Sequence, residues 1–464
     1  MRREKKFLLI SANRLADPCP VYPLGLSYLK TYLLSKIDWL DVKISDMNLI
    51  TVSELETEIK EYSPDWVGVS IRNIDGANSL DMTSFIPGYS EIMDAVRAST
   101  NAPVIMGGAG FSIFPEKLFQ LLSPDYGITG EGEESLRQLI LALNNYVADG
   151  SQDKINDYSK IEGLISKETG GLVVNPHTKY LNNLNLQFDE KLSDFYWESS
   201  GMLNIQTKRG CCYNCIYCSY PIIDGRCVRT LDTDLIVGTL ERLCRDKGIN
   251  YVFFTDSVFN IHNSYNAQLA EKIIKSGIKI NWGAYFSPHN LTDDLLALFQ
   301  RAGLKHIEFG TESLCSEQMQ RYGKNFTIED VLLNSHRAFK YNIFYAHFLI
   351  LGGIGETEKT LRETMENSKK IRYSVFFPYI GMRIYPGTPL HRMAIEDGTI
   401  SAEDSLLDPT YYLAKDFSLE RCREMAKETG KAWIFPDDPL SADIDRIRVL
   451  KKKKGLIWEY LRKP

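Results

Sequence analysis

Short apolar runs alternate with longer amphipathic stretches over the first 150 residues of the chain. The runs are rich in β-branched residues, as in buried strands, while the stretches carry the i, i+3, i+4 spacing of helices. Strands are predicted at 6–12, 41–47, 66–72, 103–108 and 126–129, and helices at 25–35, 82–98, 115–122 and 133–148. This alternation predicts a parallel sheet, so residues 1–150 are expected to form a doubly wound, flavodoxin-like α/β domain.

The alternation stops between residues 151 and 200, where Gly, Asn, Asp and Ser become common. Within this stretch, two β-rich runs flank Thr169, Gly170 and Gly171, a sequence typical of a hairpin turn. Residues 151–200 are therefore predicted to be a linker that contains a small hairpin.

Strand and helix alternate again from residue 201 to about residue 395. Strands are predicted at 203–209, 250–256, 279–286, 306–311, 343–352 and 375–385, and helices at 232–246, 265–276, 292–302, 327–340 and 357–371. Six consecutive βα units fit a partial (β/α)6 TIM-type barrel at 201–395 better than a second flat sheet, although periodicity by itself does not separate the two. Residues 396–464 are expected to form a small helical C-terminal region with a basic tail.

Composition and charge fit two compact domains with a smaller appendage, because 464 residues exceed what one hydrophobic core usually serves. The net charge of −6 argues against a protein that mainly coats nucleic acid or an acidic membrane, and no stable nucleic-acid contact is expected. Residues 446–464 differ, with eight Lys or Arg against one acidic residue. This tail is predicted to be a terminal helix with one docked apolar face; the alternative is a contact with membrane, nucleic acid or a partner.

The N-terminal residues are basic, but the apolar segment after them is too short for a secretory signal. No run reaches the roughly 18 to 20 apolar residues that cross a bilayer, so no transmembrane segment is expected and the protein is predicted to be cytoplasmic. The nine cysteines are an odd number in a chain without an export signal, which argues against a disulfide framework. Four of them fall within residues 211–218, and this clustering points to metal.

Cys211, Cys215 and Cys218 follow the first predicted barrel strand at positions n, n+4 and n+7. Three thiolates on one short loop can each ligate a different iron of a [4Fe-4S] cubane, which leaves the fourth iron without a protein ligand. An open metal position is typical of a catalytic centre. Two alternatives remain: a zinc site, for which the sequence offers no matching fourth ligand, and a register that uses Cys212 instead of leaving it as a neighbour.

These cysteines resemble the CxxxCxxC signature of the radical S-adenosylmethionine superfamily, which also follows the first barrel strand. The resemblance implies a [4Fe-4S] cluster and S-adenosylmethionine as cofactors. In that family the cosubstrate chelates the open iron, and an electron from the cluster cleaves its C–S bond to give a 5′-deoxyadenosyl radical. The resemblance also implies an external electron donor such as flavodoxin or ferredoxin.

Further residues match the same family more weakly. Tyr217 corresponds to an aromatic residue beside the adenine, and Glu312 to an acidic or polar residue that faces the ribose hydroxyls or the amino group. Gly352 and Gly353 resemble a glycine-rich turn that approaches the adenine, and Asp256 is a pocket candidate at the end of the second barrel strand. The alternatives are core packing for Tyr217, a surface helix start for Glu312 and an ordinary tight turn for the glycines.

The first domain resembles the cobalamin-binding domain that precedes the barrel in a large subgroup of the superfamily. The matching segments follow strand ends, where doubly wound sheets bind their ligands. They are residues 21–28, 67–73, 106–109 and 130–133. The residues expected to contact cobalamin are Ser70, Gly107, Gly108 and Glu131.

The DxHxxG motif that supplies a lower-face histidine to cobalt in some cobalamin domains is absent, and no histidine precedes His177. A bound cobalamin would therefore lack histidine ligation, and Arg72 or Asn73 is expected under the lower face of the cobalt. The alternative is a retained fold that binds no corrinoid.

The resemblance as a whole implies a cobalamin-dependent methyltransferase that acts on an unactivated carbon of a small-molecule, lipid or peptide substrate. No catalytic residue is identified from the sequence. The alternatives are radical cyclisation or rearrangement, methylthiotransfer, and a non-enzymatic iron–sulfur module for electron transfer or sensing. Candidate wall residues of the substrate pocket are Ser313, His347, Tyr379 and Arg383.

Overall fold

Two seven-stranded sheets follow one another along the chain in the computed structural model of the protein. The structure describes residues 4–16, 19–144, 158–438 and 453–463. Each sheet has a strand that is buried on both faces, Trp66–Ser70 in the first and Tyr251–Phe254 in the second, as expected for parallel strands covered by helices.

The first sheet has the strand order β2-β1-β3-β4-β5-β6-β7, and β1 to β5 are parallel. The strands are β1 Lys5–Ser11, β2 Leu40–Asp46, β3 Trp66–Ser70, β4 Val104–Gly107, β5 Tyr126–Ile128, β6 Leu164–Glu168 and β7 Gly171–Val174. The order of the parallel strands is that of flavodoxin-like folds, so the predicted doubly wound sheet is confirmed. The predicted hairpin forms as β6 and β7, but β6 pairs antiparallel with β5 and thereby extends this sheet.

In the described residues, six helices connect the strands of the first sheet, and a seventh leads into the second sheet. They are α1 Leu24–Lys36, α2 Val52–Tyr62, α3 Ile86–Ser99, α4 Ala109–Ile113, α5 Pro115–Leu122, α6 Glu133–Leu143 and α7 Glu190–Ser200, with a 3-10 turn at Tyr158–Lys160. A capping box fixes the start of α2, because Thr51 accepts from the Glu54 amide and Glu54 accepts from the Thr51 amide.

The second sheet has the order β18-β15-β14-β13-β12-β11-β8, and every pairing in it is parallel. Its strands are β8 Leu203–Ile205, β11 Tyr251–Phe254, β12 Asn281–Phe286, β13 Leu304–Glu312, β14 Phe344–Leu351, β15 Val375–Ile380 and β18 Ala432–Trp433. Its edge strands β8 and β18 are paired on one side each, so the sheet is an open, partial barrel as predicted.

Helices cover the outside of this barrel, and two short antiparallel pairs lie at its rim. The helices are α8 Tyr220–Ile223, α9 Thr233–Lys247, α10 Asn263–Ser276, α11 Asp293–Arg301, α12 Ser316–Arg321, α13 Ile328–Lys340, α14 Glu358–Ser368, α15 Pro389–Glu396 and α16 Leu419–Glu428. The short pairs are β9 Lys208–Arg209 with β10 Arg229–Thr230, and β16 Met382–Arg383 with β17 Tyr411–Tyr412; a 3-10 turn lies at Phe259–Ile261.

The C-terminal segment 453–463 lies across the end of the barrel where the strands begin. The Gly455 amide donates to the Gly201 carbonyl at 2.7 Å, and Trp458 is buried within a 3-10 turn at Trp458–Leu461. Of the predicted basic tail, residues 446–452 and 464 lie outside the described residues. The described part of the tail closes the barrel with apolar side chains and contains only the 3-10 turn. None of the helices in the described ranges is long and apolar enough to cross a membrane.

The carboxyl ends of the two sets of strands face each other. Asp75, after β3, pairs with Arg383 after β15 at 2.9 Å, and both side chains are buried. Glu133, after β5, pairs with Arg209 after β8 at 2.8 Å. Because parallel α/β folds bind ligands beyond the carboxyl ends of their strands, both binding edges border one shared space.

Candidate active site

The cysteine loop, residues 211–218, lies at the rim of the barrel between β9 and α8. The Cys211 amide donates to the Gly225 carbonyl at 3.0 Å, and the Ile216 amide donates to the Tyr322 carbonyl at 3.2 Å. Gly210, just before the loop, has φ +86°, and a Cβ there would lie 2.2 Å from the Cys227 carbonyl oxygen. Only glycine fits this turn, which sends the chain from β9 into the loop.

The three predicted cluster ligands lie along one partly buried loop, close enough for their charges to act on one another. Within the described residues, no three metal-ligating side chains are grouped as around a single metal ion. Burial, together with the charges of Cys215 and Cys211, raises the pKa of Cys218 to about 12. Burial likewise raises the pKa of Cys211, with Cys215 as a contributing charge. Thiolates that are buried together require nearby positive charge, which the irons of a [4Fe-4S] cluster supply. The donor set thus fits such a cluster, whereas Cys212 is exposed.

Lys324 is a part of this site that the sequence did not indicate. Its Nζ lies 3.6 Å from the Cys215 Sγ, 2.9 Å from the Glu312 Oε2 and 3.2 Å from the Tyr217 hydroxyl. The residue lies between α12 and α13, outside any motif. The turn at Gly323 brings it to the loop, because that glycine has φ +73° and packs against the Asn214 carbonyl.

Tyr217 and Glu312, both predicted to contact the cosubstrate, lie in direct contact with each other. The Tyr217 hydroxyl donates to the Glu312 Oε1 at 2.5 Å. Glu312 ends β13 with φ +58°, after a register irregularity that begins at Gly310. A left-handed conformation is costly for glutamate, so the fold holds this carboxylate toward the cysteine loop against a local backbone preference.

Gly352 and Gly353 form the turn after β14, close to the same loop. A Cβ at Gly353 would lie 2.5 Å from the Tyr322 hydroxyl, and Gly352 has φ +76°. The turn is therefore packed against the protein's own side chains, which by itself accounts for both glycines.

Asp256, predicted as a pocket residue, is buried and has its oxygens occupied. Its carboxylate accepts from the amides of Thr207 and Lys208 at 2.6 and 3.0 Å and pairs with the Lys208 Nζ at 2.9 Å. The side chain thus anchors the segment between β8 and the cysteine loop, and the structure does not present it to a ligand.

Ser70, Gly107 and Gly108 lie together at the carboxyl edge of the first sheet. Gly108 has φ +100°, and a Cβ there would lie 2.4 Å from the Ile71 carbonyl oxygen and 2.9 Å from the Ser70 Oγ. A Cβ at Gly107 would lie 3.3 Å from the Ile128 carbonyl oxygen. These glycines let the ends of neighbouring strands approach each other. They also leave the backbone at the carboxyl end of β4 uncovered by side chains of its own.

Arg72 and Asn73 follow β3 but differ in their surroundings. The Arg72 side chain is exposed and lies near Tyr220 and Tyr285, where its charge opposes the burial that raises the pKa of both phenols. Asn73 is engaged locally, since its Nδ2 donates to the Asp75 carbonyl at 2.8 Å. Of the two, Arg72 extends into the space between the sheets.

Glu131 was expected to contact cobalamin, but its carboxylate pairs with arginines of the barrel. It forms a buried ion pair with Arg229 and lies 3.6 Å from Arg209. Arg209 also pairs with Glu133, and it stacks on Tyr28 at 4.9 Å. Glu131 therefore joins the first sheet to the base of the cysteine loop.

Of the four candidate wall residues, only Tyr379 borders the space between the sheets, with 40% of its surface exposed. His347 is buried and bonds to Thr311 and Ser335, Ser313 is buried beside the Cys315 amide, and Arg383 is held by Asp75. His347 does lie on a barrel strand, as predicted. Successive side chains of a strand point to opposite faces, however, and His347 points toward the helices outside the barrel.

Two stretches of the chain match protein-family models. Residues 17–140 match the B12 binding domain, and residues 205–367 match the Radical SAM superfamily. The second stretch contains the three cysteines, Tyr217, Glu312 and both glycines of the turn after β14.

Two curated proteins are similar to the chain over most of its length. An uncharacterized methyltransferase of Pyrococcus horikoshii is 24% identical over 439 residues, which cover 91% of this chain and 90% of the relative. Tryptophan 2-C-methyltransferase of Streptomyces laurentii is 23% identical, with 83% of this chain and 74% of the relative covered.

Solved structures of the same architecture also match. The methyltransferase TsrM from Kitasatospora setae, with cobalamin and a [4Fe-4S] cluster bound, superposes with a TM-score of 0.85 at 20% identity and covers 99% of this chain and 97% of that one. OxsB, with aqua-cobalamin and S-adenosylmethionine bound, gives a TM-score of 0.72 at 17% identity over 91% of this chain and 66% of that one. These matches show a shared two-domain fold.

Proposed function

Because the chain belongs to the radical S-adenosylmethionine superfamily and its barrel follows a B12-binding domain, we propose that it is a cobalamin-dependent methyltransferase. Its reaction is methyl transfer to an unactivated carbon of a small molecule. Two relatives over most of the chain are named methyltransferases, and one of them is named for its action on tryptophan.

One observation carries this proposal: the cysteine loop and the carboxyl edge of the first sheet border the same space. The Asp75–Arg383 and Glu133–Arg209 pairs hold the two edges in position, and both pairs are buried. Reaction between two bound cofactors requires that they be held close together and shielded from water, and a shared interior space provides both.

Bound cofactors would supply the chemistry: the cluster cleaves S-adenosylmethionine reductively, and cobalamin carries the methyl group. Cys211, Cys215 and Cys218 would hold the cluster. Tyr217 and Glu312 lie beside those cysteines, where a hydroxyl and a carboxylate suit the ribose or amino group of the cosubstrate. Ser70, Gly107 and Gly108 would hold cobalamin, and the exposed Arg72 would contact it from the end of β3.

The cluster needs one-electron reduction, so an external donor of the flavodoxin or ferredoxin class would act as partner. Cys212 of the cysteine loop is exposed, as is Cys227 after helix α8, so this side of the site is within reach of solvent.

The proposal is tested by mass spectrometry of the reduced, reconstituted protein incubated with S-adenosylmethionine. We expect 5′-deoxyadenosine from the wild type, none from Cys215→Ala and wild-type amounts from Cys244→Ala, since Cys244 lies in helix α9 away from the loop. Full cluster content and activity in Cys215→Ala would contradict the site. Formation of 5′-deoxyadenosine without any S-adenosylhomocysteine would favour cyclisation or rearrangement over methyl transfer.

A further inference from the structure

Strand β13 carries a line of side chains from the closed end of the barrel to the cysteine loop. Alternate residues of a strand share one face, so His306 and Glu308 face the barrel interior together. Glu312 reaches the cysteine loop beyond the register irregularity at Gly310. His306 bonds to Tyr251 at the closed end, and Glu312 bonds to Tyr217 at the loop. Glu308 lies between them, about 13 Å along the strand from Glu312.

The C-terminal segment forms a floor directly beside Glu308. The indole Nε1 of Trp458 donates to the Glu308 Oε1 at 3.0 Å, and Trp458 packs in a small apolar cluster with Ala346, Val375 and Ala432. Ala346 is the register partner of Glu308 on β14, so a small side chain stands next to the carboxyl group.

Aromatic side chains form the walls above this floor. Tyr285, the register partner of Glu308 on β12, is 41% exposed although its strand is central in the sheet, and Tyr379 is 40% exposed. Phe348 lies 6.5 Å from Tyr379, with the two rings nearly parallel, and Phe253 packs edge-on against Tyr285 at 4.9 Å. Exposed rings on the interior face of central strands border an open chamber.

Glu308 is the carboxyl group of this chamber, and its charge is poorly compensated. Burial raises its pKa to about 7, and the hydrogen bond from Trp458 offsets only part of that effect. Across the residues that the structure describes, no cation pairs with it. A carboxylate can accept several hydrogen bonds, so one neutral donor leaves capacity for another.

We propose that this chamber binds a planar aromatic substrate between its aromatic walls and that Glu308 accepts a hydrogen bond from an N–H group of that substrate. The inference rests on the proposed function, because it takes the chamber below the cysteine loop as the substrate site. Stacked aromatic walls favour a flat ring, and the acceptor at the floor fixes which edge of the ring points away from the cofactors.

Indole and 1-methylindole test this directly, because they share a ring system and differ in the N–H group. Their affinities are measured by equilibrium dialysis against the reconstituted protein that holds cluster and cobalamin. The variants are Glu308→Leu, Glu308→Gln and, as a control, Glu366→Leu on the exposed face of α14. Thermal unfolding checks that each variant is folded.

At pH 8, where the Glu308 carboxyl is ionised, we expect the wild type and Glu366→Leu to bind indole at least about tenfold more tightly than 1-methylindole, as for a hydrogen bond to a charged acceptor. Glu308→Leu should bind the two equally, and Glu308→Gln, which keeps a carbonyl oxygen, should lie between. If Glu308→Leu still prefers indole to 1-methylindole, the shape of the chamber excludes the methyl group of 1-methylindole, and the proposal is overturned. Equal binding of both compounds by the wild type, or no binding of either, overturns it as well. Because binding is measured without turnover, these outcomes are separate from failure of methyl transfer.

Discussion

Individual residues of the site differ in how far the protein's own groups compensate their charge. Lys324 is paired with Glu312 and touches the Cys215 Sγ, whereas Glu308 has one neutral donor in a buried position. A buried charge without compensation changes its own protonation, and a compensated one changes the properties of its neighbours. The two residues therefore predict different kinds of behaviour.

Glu308 should make the stability of the protein depend on pH. Its pKa is about 7 in the folded state against an ordinary 4.5, so between these values the folded state binds more protons and the free energy of unfolding falls as pH rises. The facing groups Trp458, Tyr251, Tyr285 and Tyr379 stay neutral there, because burial raises the pKa of each of the three tyrosines.

Glu308→Gln removes this titration, so its stability relative to the wild type should rise by about 3 kcal/mol between pH 4 and pH 8. Urea unfolding of both proteins at the two pH values measures the difference. An equal difference at both pH values would mean that Glu308 is not protonated preferentially in the folded protein.

Lys324 should favour the reduced cluster, which carries one more negative charge. The Lys324→Met variant should therefore have a lower midpoint potential. The lost charge would have stabilised the added electron by about 1–2 kcal/mol at the distance between Lys324 and the cluster. A redox titration followed by electron paramagnetic resonance measures the shift, and Lys340→Met, exposed at the end of α13, is the control. Equal potentials in the two variants would remove Lys324 from any role at the cluster.

Among the individual residues of the site, the sequence predicted those that belong to motifs. The cysteine spacing lies within eight residues, so local sequence is enough to recognise it. The turn at Gly323 brings Lys324 to the site, and the strand register of the barrel places Glu308 beside Tyr285. Both are tertiary features that no local sequence pattern indicates. The ion pairs of Glu131 could not be predicted for the same reason, since its arginine partners are remote in sequence.

Among the elements, the C-terminal segment shows where periodicity fails as a guide. Its mixed basic and apolar residues predicted a helix, but its described part packs as an irregular plug whose apolar side chains fill the barrel end. Tertiary burial of Trp458 and Ile457 determines this conformation. The strands were predicted more accurately, because buried parallel strands are short apolar runs that the pattern marks well.

Gly455 should be essential to the plug. It has φ +88°, and a Cβ there would lie 2.4 to 2.8 Å from the ring of Tyr251. Gly398 has φ +75° with open space around it, so Gly398→Ala reports the cost of the backbone conformation alone, about 1–2 kcal/mol. Gly455→Ala should cost about 1–3 kcal/mol more, the typical penalty of overpacking. Chemical denaturation of both variants measures this, and equal losses would show that the segment adjusts without strain.

In the molecule as a whole, buried ion pairs hold the two sheets in a fixed relation. Asp75 accepts from the Ala77 amide and pairs with Arg383, with both side chains buried. Asp65 has equivalent partners at the surface, since it accepts from the Lys6 amide and pairs with Lys5. The two aspartates differ chiefly in burial, which makes them a matched pair.

Asp75→Asn should destabilise the protein by about 3–5 kcal/mol, because it leaves Arg383 buried without a counter-charge. Asp65→Asn should cost about 1 kcal/mol or less. Denaturant unfolding compares the two. Similar small losses would indicate that the sheets are held together by apolar contacts and that Arg383 finds other acceptors.

We propose that the two facing edges hold cofactors that act together in methyl transfer. This is tested by measuring S-adenosylhomocysteine released from S-adenosylmethionine by the reduced, cluster-loaded protein, with and without bound cobalamin. We expect S-adenosylhomocysteine in proportion to the cobalamin bound and none without it. Cobalamin-independent formation of S-adenosylhomocysteine would show that the two edges do not act together. So would the absence of S-adenosylhomocysteine from protein whose visible spectrum shows bound cobalamin.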